Sequence, residues 1–201
     1  MEEIIVREIL PADPEQALAY LCAIGGETDN LTFGAEGLPL SAEEERNYLQ
    51  LIHANLHSVH YGAWRNGILI ADGSLTGMPG RMRHRAELGI SVRKEYWNQG
   101  LGSRMMEQLI TYAENSGIEV ISLDVRADNA AAIHLYRKYG FRTIGTFPAY
   151  FRIGDQYYDF DMMLLDLRRV RNGEKRLPTR YTGRRPCRSG RQNEARKGRQ
   201  R

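Results

Sequence analysis

The chain has 201 residues, 42% of them hydrophobic, a size and composition that suit one folded domain with a sizeable core and a tail. No run of 18 apolar residues occurs, which excludes a membrane-spanning helix, and we expect no secretion signal because the N-terminus is acidic. The net charge of +3 averages two unlike parts: residues 1–168 carry 15 Lys and Arg against 23 Asp and Glu, whereas residues 169–201 carry 13 against 2.

The predicted elements of the first half are a strand, two helices and three strands. The first helix is predicted at Asp13–Cys22, after Pro11 and before the Gly25-Gly26 pair. The second begins at Ser41-Ala-Glu-Glu, a capping box. An Asn66-Gly67 turn then predicts an antiparallel hairpin. The three strands are predicted at 58–64, 68–76 and 83–92.

The second half is predicted to contain two helices and three strands. Apolar residues at spacings of three and four, from Leu101 to Tyr112, predict a helix with a buried face that ends before Gly117. A strand at 120–125 follows, and Asp128 or Asn129 caps the next helix. Strands at 142–151 and 157–165 complete the order β-α-α-β-β-β-α-β-α-β-β, which indicates a mixed α/β fold.

The composition changes sharply after Leu167. Residues 169–201 contain few apolar residues and no periodicity, so we expect a disordered basic tail behind a folded domain of residues 1–168. Such a tail is either solvated or makes non-specific phosphate contacts with nucleic acid or ribosomes. The two cysteines, Cys22 and Cys187, form a poor disulfide pair, and a cytoplasmic location is therefore expected.

The segment from Leu88 to Ser103 carries the strongest functional signal. An apolar strand enters a glycine-bearing turn and a helix opens behind it, which is an arrangement that binds anions. A Walker A loop would need Lys-Ser/Thr after the last glycine, and a dinucleotide fingerprint would need a small residue at Met105. A dinucleotide site stays open as an alternative because Asp124 lies at the right distance to bind a ribose. A second alternative is that the glycines only ease a turn. The remaining interpretation, a coenzyme A site, is the favoured one.

Trp97-Asn-Gln-Gly-Leu-Gly102 resembles the Arg/Gln-x-x-Gly-x-Gly/Ala signature of the GNAT superfamily of acetyl-CoA-dependent N-acetyltransferases, with Trp in place of the first Arg or Gln. The resemblance continues through Asn129-Ala-Ala-Ala-Ile-His-Leu-Tyr136 and Tyr139-Gly-Phe141, and it covers roughly residues 4–167. It implies a mostly antiparallel central sheet with helices on both faces and acetyl-CoA as the acetyl donor, without a metal.

The resemblance also implies where the donor binds. One strand would expose its backbone groups to the pantetheine arm, the turn would hold the pyrophosphate, and Asn129 would bond the arm. The implied cofactor-binding residues are Ile90, Ser91, Val92, Trp97, Asn98, Gln99, Gly100, Leu101, Gly102, Ser103, Asn129 and Tyr136.

Acetyl transfer to an amine needs a group that takes a proton from the amine, a donor to the carbonyl oxygen and a donor to the departing thiolate. Tyr136 matches the tyrosine that donates to the thiolate in the superfamily, and a backbone N–H near Val92 suits the oxygen. For the base, Asp124 matches the position of a glutamate in ribosomal-protein alanine acetyltransferases; Glu87 and a water are the alternatives.

The acceptor remains open at this stage. An acidic and aromatic rim from the first helix pair and the last hairpin would attract a small cationic amine or a peptide N-terminus, although ordinary surface charge is the favoured explanation. The rim residues are Glu27, Asp29, Glu36, Asp155, Asp159 and Asp161, with Tyr150, Phe151, Tyr157 and Tyr158. His53 and His57 have a metal-capable spacing but no evident third ligand. A homodimer is possible. The alternative function is a non-catalytic acyl-CoA-binding module tethered to nucleic acid or the ribosome by its tail.

Overall fold

The computed structural model describes residues 3–168, so the predicted basic tail lies outside the described residues. The strands are β1 (Ile5–Glu8), β2 (Val59–Arg65), β3 (Ile68–Gly77), β4 (Arg85–Val92), β5 (Val120–Arg126), β6 (Arg142–Ile153) and β7 (Gln156–Asp166). The helices are α1 (Pro14–Gly25), α2 (Ala42–Ala54), α3 (Leu101–Ser116) and α4 (Ala130–Lys138).

The element order confirms the predicted one, and the differences lie at element ends. Helix α1 continues to Gly25, where a side chain would overlap the carbonyl of Gly34 in the loop that follows. The capping box at Ser41 is present: its hydroxyl accepts from the Glu44 N–H, and the Glu44 carboxylate accepts from the Ser41 N–H. Of the two predicted caps for α4, Asn129 is the one used.

All seven strands form one sheet in the order β1-β2-β3-β4-β5-β7-β6. Every neighbouring pair is antiparallel except β4 and β5, which run parallel. Helices α1 and α2 pack on one face with Trp64 and Leu69, while α3 and α4 cover the other face over Leu88, Leu123 and Val125. The expected mixed sheet with helices on both faces is therefore confirmed.

The parallel pair β4 and β5 is joined over only part of its length. Pairing runs from Arg85 opposite Val120 to Glu87 opposite Ser122, although β4 continues to Val92 and β5 to Arg126. Beyond Glu87 the two strands diverge, which leaves a gap in the middle of the sheet. This gap positions the candidate site.

Candidate active site

A cavity of about 600 Å³ opens in the gap between β4 and β5. Its walls come from the diverging ends of both strands, the turn before α3, the first turns of α3 and α4, and the loop after α1. This volume lies within the range typical of small-molecule sites. Eleven of the twelve predicted cofactor-binding residues line the cavity; the exception is Gln99, whose side chain turns back to donate to the Glu95 carbonyl at 2.7 Å.

One end of the cavity is a cradle for an anion. The N–H groups of Leu101, Gly102 and Ser103 precede the first helical hydrogen bond of α3, from the Arg104 N–H to the Gly100 carbonyl, so all three are free to bind a ligand. Gly100 adopts a left-handed conformation with φ of 80°. A Cβ at Gly102 would lie 3.2 Å from the Leu135 side chain on α4, so glycine allows the two helices to approach each other here.

Lys138 adds a cation beside the cradle, and the sequence did not predict this contribution. Its Nζ lies 3.1 Å from the Ser103 hydroxyl, although 35 residues separate the two in the chain. Tyr139 donates to the Ser103 carbonyl at 3.0 Å and fixes the same turn. Helix α4 thus holds the N-terminus of α3 in place and supplies a positive charge beside it.

The edge of β4 that faces the gap presents backbone groups to the cavity. The Arg93 N–H donates to the Ile70 carbonyl on β3 at 3.0 Å. Because successive N–H groups of a strand point to opposite edges, those of Val92 and Ile90 point into the gap. The Val92 carbonyl accepts from the Trp97 indole Nε1 at 2.6 Å, so the Trp97 side chain binds the backbone of β4 at this edge.

The Ser91 side chain points the other way, toward α1. Its hydroxyl lies 2.8 Å from that of Tyr20, a buried residue of α1. Ser91 therefore contributes backbone to the cavity, while its side chain fixes β4 against α1.

Tyr136 and Asn129 enter the cavity from α4. Tyr136 is only 6% exposed, and burial raises the pKa of its phenol above the ordinary value, so the hydroxyl remains protonated. No hydrogen bond to this hydroxyl is found within residues 3–168. The Asn129 side-chain oxygen accepts from the Ala132 N–H at 3.1 Å, which leaves its amide nitrogen to donate to a ligand.

Asp124 and Glu87 lie on the sheet face that carries α1 and α2. Glu87 is opposite Ser122 in the parallel register, and Asp124 is two residues further along β5, so both side chains share this face. Asp124 lines the cavity and Glu87 does not. Of the two predicted bases, the geometry therefore favours Asp124.

Tyr150 was placed only in a general aromatic rim by the sequence, but it lies beside both carboxylates. Its hydroxyl is 3.5 Å from Asp124 Oδ2, at the outer limit of a hydrogen bond. Burial and the charges of Asp124 and Glu87 raise the pKa of the Tyr150 phenol. The hydroxyl therefore stays protonated and points toward Asp124, which lines the cavity.

One ion pair and one hydrogen bond to the backbone hold the loop after α1 against the diverging strand ends. Glu27 accepts from Arg93 Nε and from the Lys94 N–H, each at 2.6 Å. Arg126 donates to the Asp29 carbonyl at 3.0 Å and pairs with Asp128 at 2.6 Å. The loop thereby becomes a fixed wall of the cavity, to which Thr28, Asn30 and Leu31 contribute.

Most acids of the predicted rim are engaged within the protein. Glu36 accepts from the Gly34 N–H, Asp159 from the Ala149 N–H and Asp161 from the Thr146 hydroxyl. Asp155 pairs with Arg152 at the exposed hairpin turn. Among the described residues that line the cavity, Asp124 is the acidic one.

Comparison with known proteins decides the family. Residues 28–141, more than half of the chain, match the family model described as acetyltransferase (GNAT) family. The chain belongs to this family. Its GNAT fold also agrees with solved structures: an acetyltransferase of GNAT family from Streptococcus pneumoniae is 31% identical with a TM-score of 0.79, over 82% of this chain and 99% of that one.

Other GNAT structures are more distant. A ribosomal-protein-alanine N-acetyltransferase from Brucella melitensis is 25% identical with a TM-score of 0.70, over 81% of this chain and 99% of that one. The structure of yncA from Salmonella typhimurium, solved with its cofactor acetyl-CoA, shares the fold at 18% identity and a TM-score of 0.71, over 82% and 94% of the two chains.

Curated relatives match a shorter part of this GNAT chain. L-amino acid N-acetyltransferase AaaT of Escherichia coli (strain K12) is 38% identical over 80 residues, which are 39% of this chain and 49% of that protein. The [ribosomal protein bS18]-alanine N-acetyltransferase of the same strain is 38% identical over 78 residues, 39% and 53% of the two chains. The match thus spans about half the length of these relatives.

Within residues 3–168, no helix is both long and apolar enough to cross a membrane. Across the same residues no group of three or more His, Cys, Asp or Glu side chains is arranged to hold a metal ion, and His53 instead bonds Glu8 at 2.8 Å.

Proposed function

We propose that the protein is an N-acetyltransferase that moves an acetyl group from acetyl-CoA directly to a primary amine. The observation that carries this proposal is one cavity whose wall includes both the anion cradle at the start of α3 and the side chains of Tyr136 and Asp124. A ligand that fills it would have a phosphorylated end and a reactive end, which matches the donor of this family.

The residues present fit coenzyme A. Three free N–H groups at the start of α3, together with the helix dipole and Lys138, suit a pyrophosphate. The edge of β4 offers the Ile90 and Val92 N–H groups to an extended amide chain, which can pair with it like an added strand. The Asn129 amide can donate to a carbonyl of the same chain.

The donor supplies an activated acyl group, whose carbonyl carbon gains a bond to the amine nitrogen while its bond to sulfur breaks. In this proposal the Val92 N–H donates to the carbonyl oxygen as that atom gains negative charge. The Tyr136 hydroxyl donates to the departing sulfur. Asp124, directly or through a water, takes the proton that the amine must lose.

The acceptor is proposed as a small cationic amine or a peptide or protein N-terminus. The choice is supported by the carboxylate of Asp124 in the cavity wall and by Glu87 on the same face of the sheet. The names of two relatives also state an alanine of a ribosomal protein as the substrate of those proteins. We keep as proposals a cytoplasmic location, non-specific nucleic-acid contact through residues 169–201, and a homodimer.

The test is turnover of acetyl-CoA over a panel of amines, peptides with free N-termini and matched N-terminally blocked peptides, followed by detection of released thiol. The expected result is thiol release that depends on a free amine. Acetyl-CoA binding without thiol release on any amine would instead support a non-catalytic acyl-CoA-binding module.

A further inference from the structure

Two charged side chains line the cavity, and they differ in how fully other groups of the protein already bind them. Among the lining residues in the described part of the chain, Asp124 and Arg126 alone carry a full charge. Both are on β5, where they are two residues apart and project from the same face. An acceptor that contacts Asp124 must carry a positive charge there, whereas one that contacts Arg126 could carry a negative charge.

Arg126 is already committed within the protein. Its guanidinium makes two hydrogen bonds to the Asp128 carboxylate, at 2.6 and 2.9 Å, and a third to the Asp29 carbonyl. Its carbon Cζ also lies 4.1 Å from the centre of the Tyr158 ring, and the side chain is only 12% exposed. A substrate carboxylate would have to displace Asp128 to use this cation.

Tyr150 is carried to Asp124 by an irregularity in the last hairpin. Phe147 is opposite Phe160 and Phe151 is opposite Tyr158, so three residues of β6 face a single residue of β7. At the centre of this bulge Ala149 has φ of 52°, and its N–H donates to Asp159 at 2.9 Å. The bulge turns the Tyr150 hydroxyl toward the carboxylate and leaves the ring 43% exposed.

Tyr136 provides an independent indication that the cavity binds a ligand. Its side chain is more than nine-tenths buried, it lines the same cavity as Asp124, and its hydroxyl has no hydrogen-bond partner within residues 3–168. The hydroxyl is open to the cavity and can therefore donate to a ligand there.

We propose that Asp124 and Tyr150 form an ammonium subsite that excludes amines bearing an adjacent carboxylate, with Tyr150 as a specificity-determining residue. The inference rests on the proposed function. Asp124 attracts the acceptor cation, and the Tyr150 ring adds a cation–π surface beside it. A free amino acid would bring its own carboxylate close to Asp124, and no available cation of the site would offset the repulsion between the two carboxylates. An amino-acid amide or a peptide N-terminus has no such carboxylate and would not be repelled.

The experiment compares L-alanine with L-alaninamide as ligands of the full chain in complex with coenzyme A. Calorimetry at about pH 6 keeps both amines protonated, so that basicity does not bias the comparison. We expect the amide to bind at least about tenfold more tightly, a difference of about 1.4 kcal/mol. Equal affinities, including no detectable binding of either compound, would overturn the proposal.

Variants identify the residues responsible. Asp124→Asn should bring the two affinities within about threefold of each other. Tyr150→Leu removes the aromatic ring and should weaken alaninamide binding severalfold while coenzyme A binding is unchanged. Asp155→Asn removes a carboxylate from the turn of the same hairpin and should preserve the wild-type ratio. An unchanged ratio in Asp124→Asn, or unchanged alaninamide binding in Tyr150→Leu, would contradict the assignment.

The same samples separate this inference from the proposed function. If alaninamide binds selectively but no amine is ever acetylated, the charge selection stands and the acetyltransferase assignment fails. If both compounds are acetylated and bind equally, the assignment stands and the charge selection fails.

Discussion

Burial gives Tyr136 its chemical character. The environment raises the pKa of the phenol, so the hydroxyl is a donor throughout the physiological range and cannot act as a base there. Removing this hydroxyl leaves the ring in its contact with Phe141, at 5.8 Å between centroids, so packing is retained.

We therefore expect Tyr136→Phe to lower kcat by about 10²-fold, the lower end for a lost proton donor, while the Kd of acetyl-CoA changes less than about twofold. Steady-state kinetics and calorimetry on one preparation supply both values. Wild-type turnover in this variant would eliminate the donor role.

The two candidate bases differ in position, which makes them separable. Asp124 lines the cavity, whereas Glu87 lies where β4 and β5 are still paired. Asp124→Asn should reduce kcat by about 10²-fold, and Glu87→Gln should reduce it by less than about tenfold. A larger loss in Glu87→Gln than in Asp124→Asn would reverse the assignment.

At the scale of elements, the close approach of α3 and α4 fixes the cradle. A glutamate at Gly102 would place bulk against Leu135 and a negative charge among the free N–H groups. Gly102→Glu should therefore weaken acetyl-CoA binding beyond about 10²-fold. Gln108→Glu adds the same charge farther along α3 on an exposed position and should bind normally. Unchanged affinity in a folded Gly102→Glu protein would show that the cradle does not bind acetyl-CoA.

A buried ion pair joins β2 to β3 beneath α2. His60 is 8% exposed and its Nε2 lies 2.5 Å from Asp72 Oδ2. Burial lowers the pKa of His60, but the charge of Asp72 and its hydrogen bond together raise it by more, so the net change is upward. A histidine whose pKa is raised by folding stabilises the fold below its unfolded pKa of about 6.5, and this stabilisation disappears as the pH rises through the folded value.

The free energy of unfolding should report this pair. The stability lost in His60→Gln should be larger at about pH 6 than at about pH 9, as measured by urea denaturation, because the ion pair contributes only while His60 is charged. Asp72→Asn should show the same trend. A loss that grows with pH in both variants would mean that His60 is buried in its neutral form.

At the scale of the whole molecule, the order of elements was predictable because its signals are local. The capping box at Ser41, the turn at Asn66-Gly67 and the left-handed Gly117 at the end of α3 each act within a few residues. The glycine turn at 100–102 was found from sequence for the same reason.

Other parts of the site depend on contacts between distant residues. Arg126 reaches the Asp29 carbonyl across 97 residues, and Lys138 reaches Ser103 across 35. The bulge that aims Tyr150 arises from the pairing register of β6 with β7, which no periodicity in β6 encodes. Sequence therefore indicated which residues contribute to the cavity better than it indicated where their side chains point.

The acidic domain and the basic segment at residues 169–201 are expected to act separately. Deletion of 169–201 should leave acetylation of small amines within about twofold of the full chain, because the cavity is built from residues 24–136. Circular dichroism would confirm that the shortened chain is folded. Loss of the fold would show that the segment contributes to the domain.

The central claim is that the gap between β4 and β5, with the start of α3, binds acetyl-CoA. Calorimetric titration of the folded full-length chain with acetyl-CoA tests it most directly. We predict saturable binding with one molecule per chain, displaced by coenzyme A; the absence of any binding in a properly folded sample would contradict the claim.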